Sequence, residues 1–146
     1  MASSPDFFPP DGAFRHHFSV RPTDIDELGH ANNVVWIRWV NEAAILHSRS
    51  VGLGPDVYLA LGVVWVVRRH DIEYLSPALE GEELEATTWI ETLRGATSLR
   101  RTLITRGGRA LARAATTWAL IDVATTKPRR IPKEMLERYG FRTDSG

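Results

Sequence analysis

The segment from Asp24 to Asn33, which reads DIDELGHANN, is the densest cluster of reactive side chains in the sequence. Its carboxylates, histidine and asparagines stand directly before a long apolar segment that is typical of a helix. A helix N-terminus presents unpaired N–H groups and a partial positive charge, which stabilise developing negative charge. A carboxylate beside such a terminus can act as a nucleophile or general base next to an oxyanion hole.

The two aspartates of this segment also have a structural reading. Asp24 and Asp26 can both cap turns, because Asp side chains accept hydrogen bonds from nearby backbone N–H groups, and we expect a structural role for Asp24. The D-x-D spacing before Gly29 is similar to a calcium loop, but Leu28 and Val35 occupy the fifth and twelfth ligand positions. The sequence therefore predicts no calcium site.

The elements around this segment are one strand and one long helix. Residues 14–20 alternate in polarity as a half-buried strand does, and Pro22 ends the alternation. Residues 33–49 are apolar over most of a helical circumference, which predicts a helix buried on most sides, with Asn32 or Asn33 as its N-cap. Residues 55–61 are expected to be irregular.

After Gly62 the pattern changes to strands, at residues 63–75, 83–91, 98–106 and 109–122. Gly107-Gly108 is a hairpin signal, and the short connections predict an antiparallel meander. The sequence thus predicts an α+β fold in which a five-stranded antiparallel sheet wraps around one long central helix. We expect a flexible leader over residues 1–13, one domain over residues 14–132, and a short helix and tail over residues 133–146.

The composition excludes several classes of protein. The 146 residues fit one domain, and 18 basic residues balance 18 acidic ones, whereas a nucleic-acid-binding protein usually has a basic excess. Because there is no cysteine, disulfides, thiolate nucleophiles and Cys-ligated zinc are excluded. No signal peptide is recognisable, and the longest apolar run, residues 63–67, is too short to cross a bilayer. We therefore expect a cytoplasmic protein with no nucleic-acid or membrane partner.

The stretch VRPTDIDELGHANNVVWIRW resembles the loop and helix entrance of hotdog-fold acyl thioesterases, both the 4-hydroxybenzoyl-CoA thioesterase-like branch and the acyl-ACP thioesterases. EYLSPALEGEEL and WALIDVATTKPRRIP match less sharply, so that the resemblance covers residues 14–132. It implies the hotdog fold and hydrolysis of acyl-CoA or acyl-ACP thioesters. It also implies no metal or redox cofactor, with coenzyme A only as part of the substrate and product.

The resemblance assigns roles to residues of the loop. Asp26 falls on the family's catalytic carboxylate, and Asn33 falls where a backbone N–H polarises the thioester carbonyl, at a helix N-terminus that also includes Asn32. His30 and Asn32 match the H-x-N-N of the acyl-ACP branch, in which His30 would orient water or substrate; a loop hydrogen bond is the alternative. That branch has an asparagine where this chain has Leu28. Its Asn–His arrangement is therefore not reproduced in full.

Other residues are candidates for substrate contacts. Some branches use a glutamate on the central helix, a role open to Glu42, although Glu42 is also spaced to pair with Arg38. We expect Trp36, Tyr74, Ser76 and Arg94 to contact substrate, with core packing as the alternative for Tyr74 and Ser76. Seven basic residues are candidates either for coenzyme A phosphates or for a solvated face: Arg100, Arg101, Arg106, Arg109, Lys127, Arg129 and Arg130.

Two further questions concern assembly and activity. The chain supplies too little material to cover the outer face of its sheet, which predicts a homodimer joined edge to edge with active sites at the subunit boundary. Whether dimers pair into tetramers stays open. The alternatives to a thioesterase are a non-catalytic hotdog module that binds acyl thioesters or assembles complexes, and a hydratase of the same fold.

Overall fold

The chain begins with one strand, continues into a long helix and returns through four further strands, as its polarity pattern predicts. A computed structural model describes residues 7–141. The elements are β1 (Phe14–Ser19), a single 3-10 turn (Pro22–Asp24), α1 (Asn33–Ser50), α2 (Pro55–Ala60), β2 (Val63–Tyr74), β3 (Glu83–Arg94), β4 (Thr97–Arg106), β5 (Arg109–Asp122) and α3 (Lys133–Arg138). None of the helices within residues 7–141 is long and apolar enough to cross a membrane.

The five strands form one sheet in the order β1-β3-β4-β5-β2, and every neighbouring pair is antiparallel. β3, β4 and β5 are joined by tight hairpins, whereas β1 and β2 lie at the two edges. The predicted α+β architecture, a five-stranded antiparallel sheet around one central helix, is confirmed.

α1 is held in the curve of the sheet by large side chains on the helix and small ones on the strands. Trp36, Trp39 and Val40 are buried and pack into one cluster with the inner face of the sheet. The strand residues opposite them include Ala86, Ala112 and Ala114, which leave room for a helix with bulky aromatic side chains. Phe18 of β1 also packs against Trp39, with ring centroids 5.1 Å apart. This packing fixes where the N-terminus of α1 lies.

The expectation of an irregular segment at residues 55–61 is wrong, because α2 (Pro55–Ala60) is a short helix. Six residues are too few to display a helical repeat of apolar positions, and proline suits the first turn, where no N–H donor is needed. Tyr58 of α2 is buried in a second cluster with Leu53, Ile131 and Met135. Met135 belongs to α3 (Lys133–Arg138), where the sequence predicts a short helix.

The predicted leader and tail lie partly outside the described residues, at residues 1–6 and 142–146. Within residues 7–13, the ring of Phe7 lies on the outer face of the sheet. Its centroid is 5.0 Å from the guanidinium carbon of Arg101 and 5.5 Å from that of Arg113, which is cation–π distance.

The outer face of the sheet carries paired charges rather than bare apolar surface. Arg15 lies 2.9 Å from Glu85, Arg113 lies 2.9 Å from Glu73, and Arg101 pairs with Glu91. Such a face tolerates water, so it does not need the second covering layer that the sequence predicts. A dimer would therefore form along the free edge of β2 rather than through this face.

Asp24 fastens the loop before α1 to the helix itself. Its side chain is 1% exposed, accepts a hydrogen bond from Arg21 N at 2.9 Å and pairs with Arg38 Nη2 at 2.6 Å. Its carbonyl oxygen accepts from the backbone N–H of Asn32 at 2.9 Å. The structural role expected for Asp24 agrees with these contacts.

We expect Asp24→Asn to lower the free energy of unfolding by about 2 kcal/mol. The carboxylate accepts from Arg21 N and Arg38 Nη2, and the amide NH2 of asparagine would place a donor opposite one of these two donors. The matched control is Glu42→Gln, which removes an exposed carboxylate 3.6 Å from the same arginine and should cost below about 0.5 kcal/mol. Urea unfolding followed by tryptophan fluorescence measures both. Equal effects of the two substitutions would contradict the role assigned to Asp24.

Candidate active site

The loop between the 3-10 turn and α1 is closed by its own backbone. Asp26 N donates to His30 O at 2.9 Å, Gly29 N donates to Asp26 O at 3.1 Å, and Ile25 forms an isolated β-bridge with Ala31. Gly29 has a φ of 82°, a left-handed conformation that glycine adopts without strain. Ala31 N donates to Ala78 O at 2.8 Å, which anchors the loop to the connection between β2 and β3.

The Asp26 carboxylate is positioned by this turn and keeps one oxygen free. Its Oδ1 accepts from Leu28 N at 2.9 Å and from His30 N at 3.4 Å, while its Oδ2 accepts no hydrogen bond within residues 7–141. The side chain therefore caps a turn, as the structural reading predicts. The same contacts hold the free oxygen in one direction, which a general base or nucleophile requires.

The backbone at the start of α1 offers one open donor. Asn32 is the N-cap, and its Oδ1 accepts from Val34 N at 3.0 Å. The backbone N–H of Asn32 already donates to Asp24, so its predicted share in an oxyanion hole is corrected. The Asn33 N–H meets no acceptor in the described part of the chain. It is thus the candidate oxyanion donor at the positive end of the helix.

Two of the predicted substrate contacts come together beside this helix start. The Tyr74 hydroxyl donates to Asn33 O at 3.3 Å, and the Tyr74 ring meets the edge of Trp36 with centroids 6.0 Å apart. Trp36 is only 2% exposed and serves mainly as core. Ser76 follows at the end of β2, where its N–H donates to Leu111 O at 3.1 Å.

The side chains of three other predicted residues do not contact Asp26 or Asn33 in the described part of the chain. The side chain of His30 is exposed and forms no hydrogen bond within residues 7–141. Glu42 lies 3.6 Å from Arg38, which agrees with its structural reading. Arg94 ends β3, whereas Glu83 at the other end of β3 pairs with Ser19 near the loop. Since a strand rises by about 3.3 Å per residue, the structure leaves Arg94 roughly 36 Å along β3 from that end.

The seven basic residues considered for phosphate binding fall into three groups. Arg101, Arg106 and Arg129 form ion pairs with Glu91, Glu82 and Asp122. Three others are exposed and form no ion pair with the described residues: Arg109, Lys127 and Arg130. Arg100 is 4% exposed and lies under α1. The reading of Arg100 as part of a solvated face is therefore wrong, and its contact with coenzyme A phosphates stays a prediction.

The burial of Arg100 is what the sequence did not reveal. On β4 the apolar Leu99 and Leu103 point outward, whereas Ser98, Arg100 and Thr102 point toward the helix and are buried. Polarity alone predicts the opposite orientation. The only sequence signal was the register of the hairpin, which places Arg100 opposite Ile90 and Thr116.

Arg100 lines a cavity of about 220 Å³ between the second half of α1, α2 and the sheet. Most of the lining is apolar, with Ala44, Ile45, Leu53, Tyr58, Trp65 and Trp118. Its Nη1 donates to His47 Nδ1 at 2.9 Å and to Thr88 Oγ1 at 3.1 Å. A guanidinium group is thus held at the wall of a mostly apolar space.

His47 is a neutral acceptor in this arrangement. Burial, reinforced by the positive charge of Arg100, lowers the pKa of His47 from 6.5 to about 4. Its ring stacks on Phe14, with centroids 5.4 Å apart. Because Nδ1 accepts from Arg100, the ring proton belongs on Nε2. Burial lowers the pKa of Arg100 to about 10, which leaves the guanidinium charged at pH 7.

The segment His70-Asp71-Ile72-Glu73 of β2 contains three residues of types that bind metals. His70 Nδ1 lies 2.9 Å from Thr116 Oγ1, and burial lowers the pKa of His70. Asp71 pairs with Arg69 at 2.9 Å. Within residues 7–141, no three His, Asp or Glu side chains converge as metal ligands do.

Comparison with known proteins identifies the family of this chain. Residues 11–139 match the sequence profile of the acyl-ACP thioesterase N-terminal domain. The chain is 26% identical over 143 residues to the chloroplastic palmitoyl-acyl carrier protein thioesterase of Arabidopsis thaliana, a match that covers 90% of this chain. It spans about a third of that relative's length, since the match covers 34% of it.

Two solved structures share the fold. A probable thioesterase from Bartonella henselae is 25% identical with a TM-score of 0.78, and the match covers 83% of this chain and 100% of that one. A thioesterase from Thermus thermophilus, complexed with coenzyme A and Zn, is 26% identical with a TM-score of 0.77. That match covers 89% of this chain and 94% of the other.

The fold is therefore the hotdog fold of acyl thioesterases, as the resemblance implies. Within that class, the chain belongs to the acyl-ACP thioesterase family and corresponds to its N-terminal domain.

The depressed pKa of His47 makes the stability of the fold pH-dependent. In the unfolded chain His47 takes up a proton below about pH 6.5, whereas in the folded protein it does so only below about pH 4. The stability that depends on neutral His47 is therefore fully present above pH 6.5 and is lost as the pH falls toward 4. We expect His47→Asn, whose Oδ1 can still accept from Arg100, to lose less stability between pH 7.5 and 4.5 than the wild type. The difference should be on the order of 1–2 kcal/mol, allowing for solvent near the partly exposed ring.

Urea unfolding at the two pH values provides the measurement. His70, whose pKa is also lowered, contributes in both proteins and cancels in the comparison. If wild type and variant lost the same stability over this interval, His47 would not be the titrating group.

Proposed function

We propose that this protein hydrolyses acyl thioesters, with Asp26 as general base or nucleophile and the Asn33 N–H as oxyanion donor. One observation carries the proposal: a turn fixes the Asp26 carboxylate and leaves its Oδ2 free, in the loop that ends at the open Asn33 N–H at the start of α1. Membership of the acyl-ACP thioesterase family supports the same chemistry.

The reaction suits this small set of groups. Asp26 takes a proton from water while the water oxygen bonds to the thioester carbonyl carbon, and the Asn33 N–H stabilises the resulting oxyanion. When the carbonyl re-forms, the C–S bond breaks and the sulfur leaves with the bonding electrons. Thiolates are good leaving groups, so no strong general acid is needed. Protonated Asp26 returns its proton to the thiolate, and the products are the free acid and the thiol of coenzyme A or of an acyl carrier protein.

We further propose that the working form is a homodimer joined along β2. This strand has a neighbour on one side only, so one edge of its 12 residues has unpaired backbone groups. Val66 and Val67 of β2 and Ile37 and Ile45 of α1 are each 36% exposed. Pairing two copies about a two-fold axis buries these residues and satisfies the strand edge.

The same pairing completes the site. Tyr74, at the end of β2, contacts Asn33, whereas Val64 and Trp65, at its beginning, line the cavity beside Arg100. Antiparallel pairing places the end of one strand beside the beginning of the other. Each Asp26 loop therefore faces the cavity of the partner subunit. This proposal retains the predicted location of the active sites at the subunit boundary.

The charge of Asp26 is tested by Asp26→Asn. Asparagine can still accept from Leu28 N and His30 N, so the turn is retained while the base is lost. We expect turnover of acyl-CoA or acyl-ACP to fall by at least about a hundredfold with KM little changed. Glu27→Gln, the same change at the exposed neighbouring residue, should keep wild-type turnover. A folded Asp26→Asn protein with near-normal turnover would refute the assignment.

A panel of aromatic, short, medium and long acyl-CoAs, together with acyl-ACPs, separates the alternatives for the wild type. Release of free thiol from any of them supports hydrolysis and identifies the carrier. Binding without turnover of any thioester would favour the acyl-thioester-binding module instead.

The Asn33 contribution is assigned to its main-chain N–H, which Asn33→Ala retains. Loss of a whole oxyanion donor costs roughly 10²–10³ in turnover, so the alanine variant should stay within about tenfold of wild type. Steady-state kinetics on the folded variant check this. If Asn33→Ala were as inactive as Asp26→Asn, the amide side chain would take part in the chemistry, as in the acyl-ACP branch.

The dimer is tested by placing charge on the free edge. Val66→Lys should shift the molecular mass in light scattering from dimer toward monomer, because a desolvated ammonium group opposes strand pairing. Phe8→Lys puts the same charge on a side chain that is 64% exposed and lies before β1, and it should leave the mass unchanged. A wild-type protein that is monomeric at micromolar concentration would overturn the dimer.

A further inference from the structure

The guanidinium of Arg100 has no counter-charge among residues 7–141. Arg100 is 4% exposed, and no carboxylate among the described residues comes within ion-pair distance. Buried arginines are almost always paired, because removing a charge from water is costly unless an opposite charge replaces the solvent. The partners of Arg100 are instead a neutral histidine and a threonine hydroxyl. Arg100 is thus a buried cation that the described residues leave without an anionic partner.

Several N–H donors of Arg100 are also unused. Arginine has five N–H donors, and both hydrogen bonds of Arg100 within residues 7–141 come from Nη1. Nε and Nη2 find no acceptor there. The neighbouring Trp118, which lines the same cavity, has a buried Nε1–H that also lacks an acceptor in this part of the chain. A cavity wall with spare donors and one positive charge is complementary to an anionic acceptor.

The cavity has room for part of a substrate. Pockets for whole drug-sized ligands measure about 300–1,000 Å³, so a space of about 220 Å³ fits an acyl group rather than a complete coenzyme A thioester. Its walls are mostly aliphatic and aromatic, which suits a hydrocarbon chain. Two lining residues are exposed, Ile45 at 36% and Leu59 at 60%, so the space opens toward the surface beside the β2 edge.

We propose that this cavity receives the distal end of the acyl group and that Arg100 binds a carboxylate there, so that thioesters of dicarboxylic acids are the preferred substrates. The apolar walls pack against the methylene groups, and Arg100 pairs with the terminal carboxylate through its unused Nε and Nη2 donors. This inference rests on the proposed thioesterase function, because it concerns the substrate of the same site.

His47 and Thr88 act as positioning residues for this guanidinium. Both accept from Nη1, which leaves the Nε and Nη2 donors free to bind a carboxylate. His47 can do so only while it is neutral, since a protonated ring has no acceptor nitrogen. The packing of His47 between Phe14 and Tyr139 keeps the ring in place.

The test compares substrates that differ only at the distal end. ω-Carboxyacyl-CoAs of six to twelve carbons are assayed beside unsubstituted acyl-CoAs of the same length and beside the ω-methyl esters, which keep the size but remove the charge. We expect kcat/KM for the best carboxylated chain to exceed that of both neutral counterparts by about ten- to hundredfold. Equal or lower values for every carboxylated chain would overturn the inference while leaving the thioesterase proposal intact.

The variants identify the residue. Arg100→Met should remove the preference, and Arg100→Lys should retain part of it. The matched control is Arg101→Met, which removes a charge one residue away on the outer face and should leave the ratio unchanged. A preference that survives in folded Arg100→Met would contradict the role of Arg100.

A binding measurement separates this inference from the activity. Calorimetric titration of the wild type with free dicarboxylates should give measurable affinity, which Arg100→Met loses and Arg101→Met keeps. Dicarboxylate binding without hydrolysis of any thioester would contradict the proposed function but support the carboxylate site. Hydrolysis without dicarboxylate binding or preference would do the reverse.

Discussion

The position of the α1 N-terminus is the constraint on which the candidate site depends. A carboxylate can act beside an oxyanion donor only if the turn that carries it and the helix that supplies the N–H are fixed relative to each other. Asp24 does this by accepting from Arg21 N and pairing with Arg38 of α1, while its carbonyl oxygen accepts from Asn32 N. The first free N–H of the helix is consequently that of Asn33. The buried Asp24 thus fixes the open N–H relative to the turn that carries the half-buried Asp26.

The two ends of α1 face different environments. Near the N-terminus of α1, Trp36 packs against Trp39 and Tyr74, and the Asn33 N–H is an open backbone donor. Toward its C-terminus it covers a polar layer of the sheet, in which Thr88, Thr102 and Arg100 are all buried. Thr88 Oγ1 lies 3.1 Å from Thr102 Oγ1 and donates to Arg101 O at 2.9 Å. Such hydrogen bonds offset the desolvation of the hydroxyls, but they provide no negative charge for the guanidinium.

The elements of the fold could be predicted because their signals are local. The repeat of apolar residues in α1, the Gly107-Gly108 turn and the alternation in β1 each depend on neighbours in sequence, and the structure agrees with them. Asp26 and Asn33 could be proposed because the loop resembles a known family. The burial of Arg100 could not be predicted, because it depends on which face of β4 meets the helix. Leu99 and Leu103 make the wrong face look apolar, and only tertiary packing decides the orientation.

Within one protomer, the Asp26 loop and the cavity beside Arg100 lie far apart along α1. Ala44 and Ser48, which line the cavity, lie about 16–22 Å along α1 from Asn33, at a rise of about 1.5 Å per residue. An acyl group extending from the Asp26 loop would have to pass Trp36 and Val40, which are 2% exposed and fill the intervening space. The free edge of β2 offers a shorter route, because it is flanked by the loop at one end and by the cavity at the other. In the proposed dimer, a two-fold axis across that edge would bring each loop to the other subunit's cavity, so the pairing that satisfies the strand edge would also place Asp26 and Arg100 in one site.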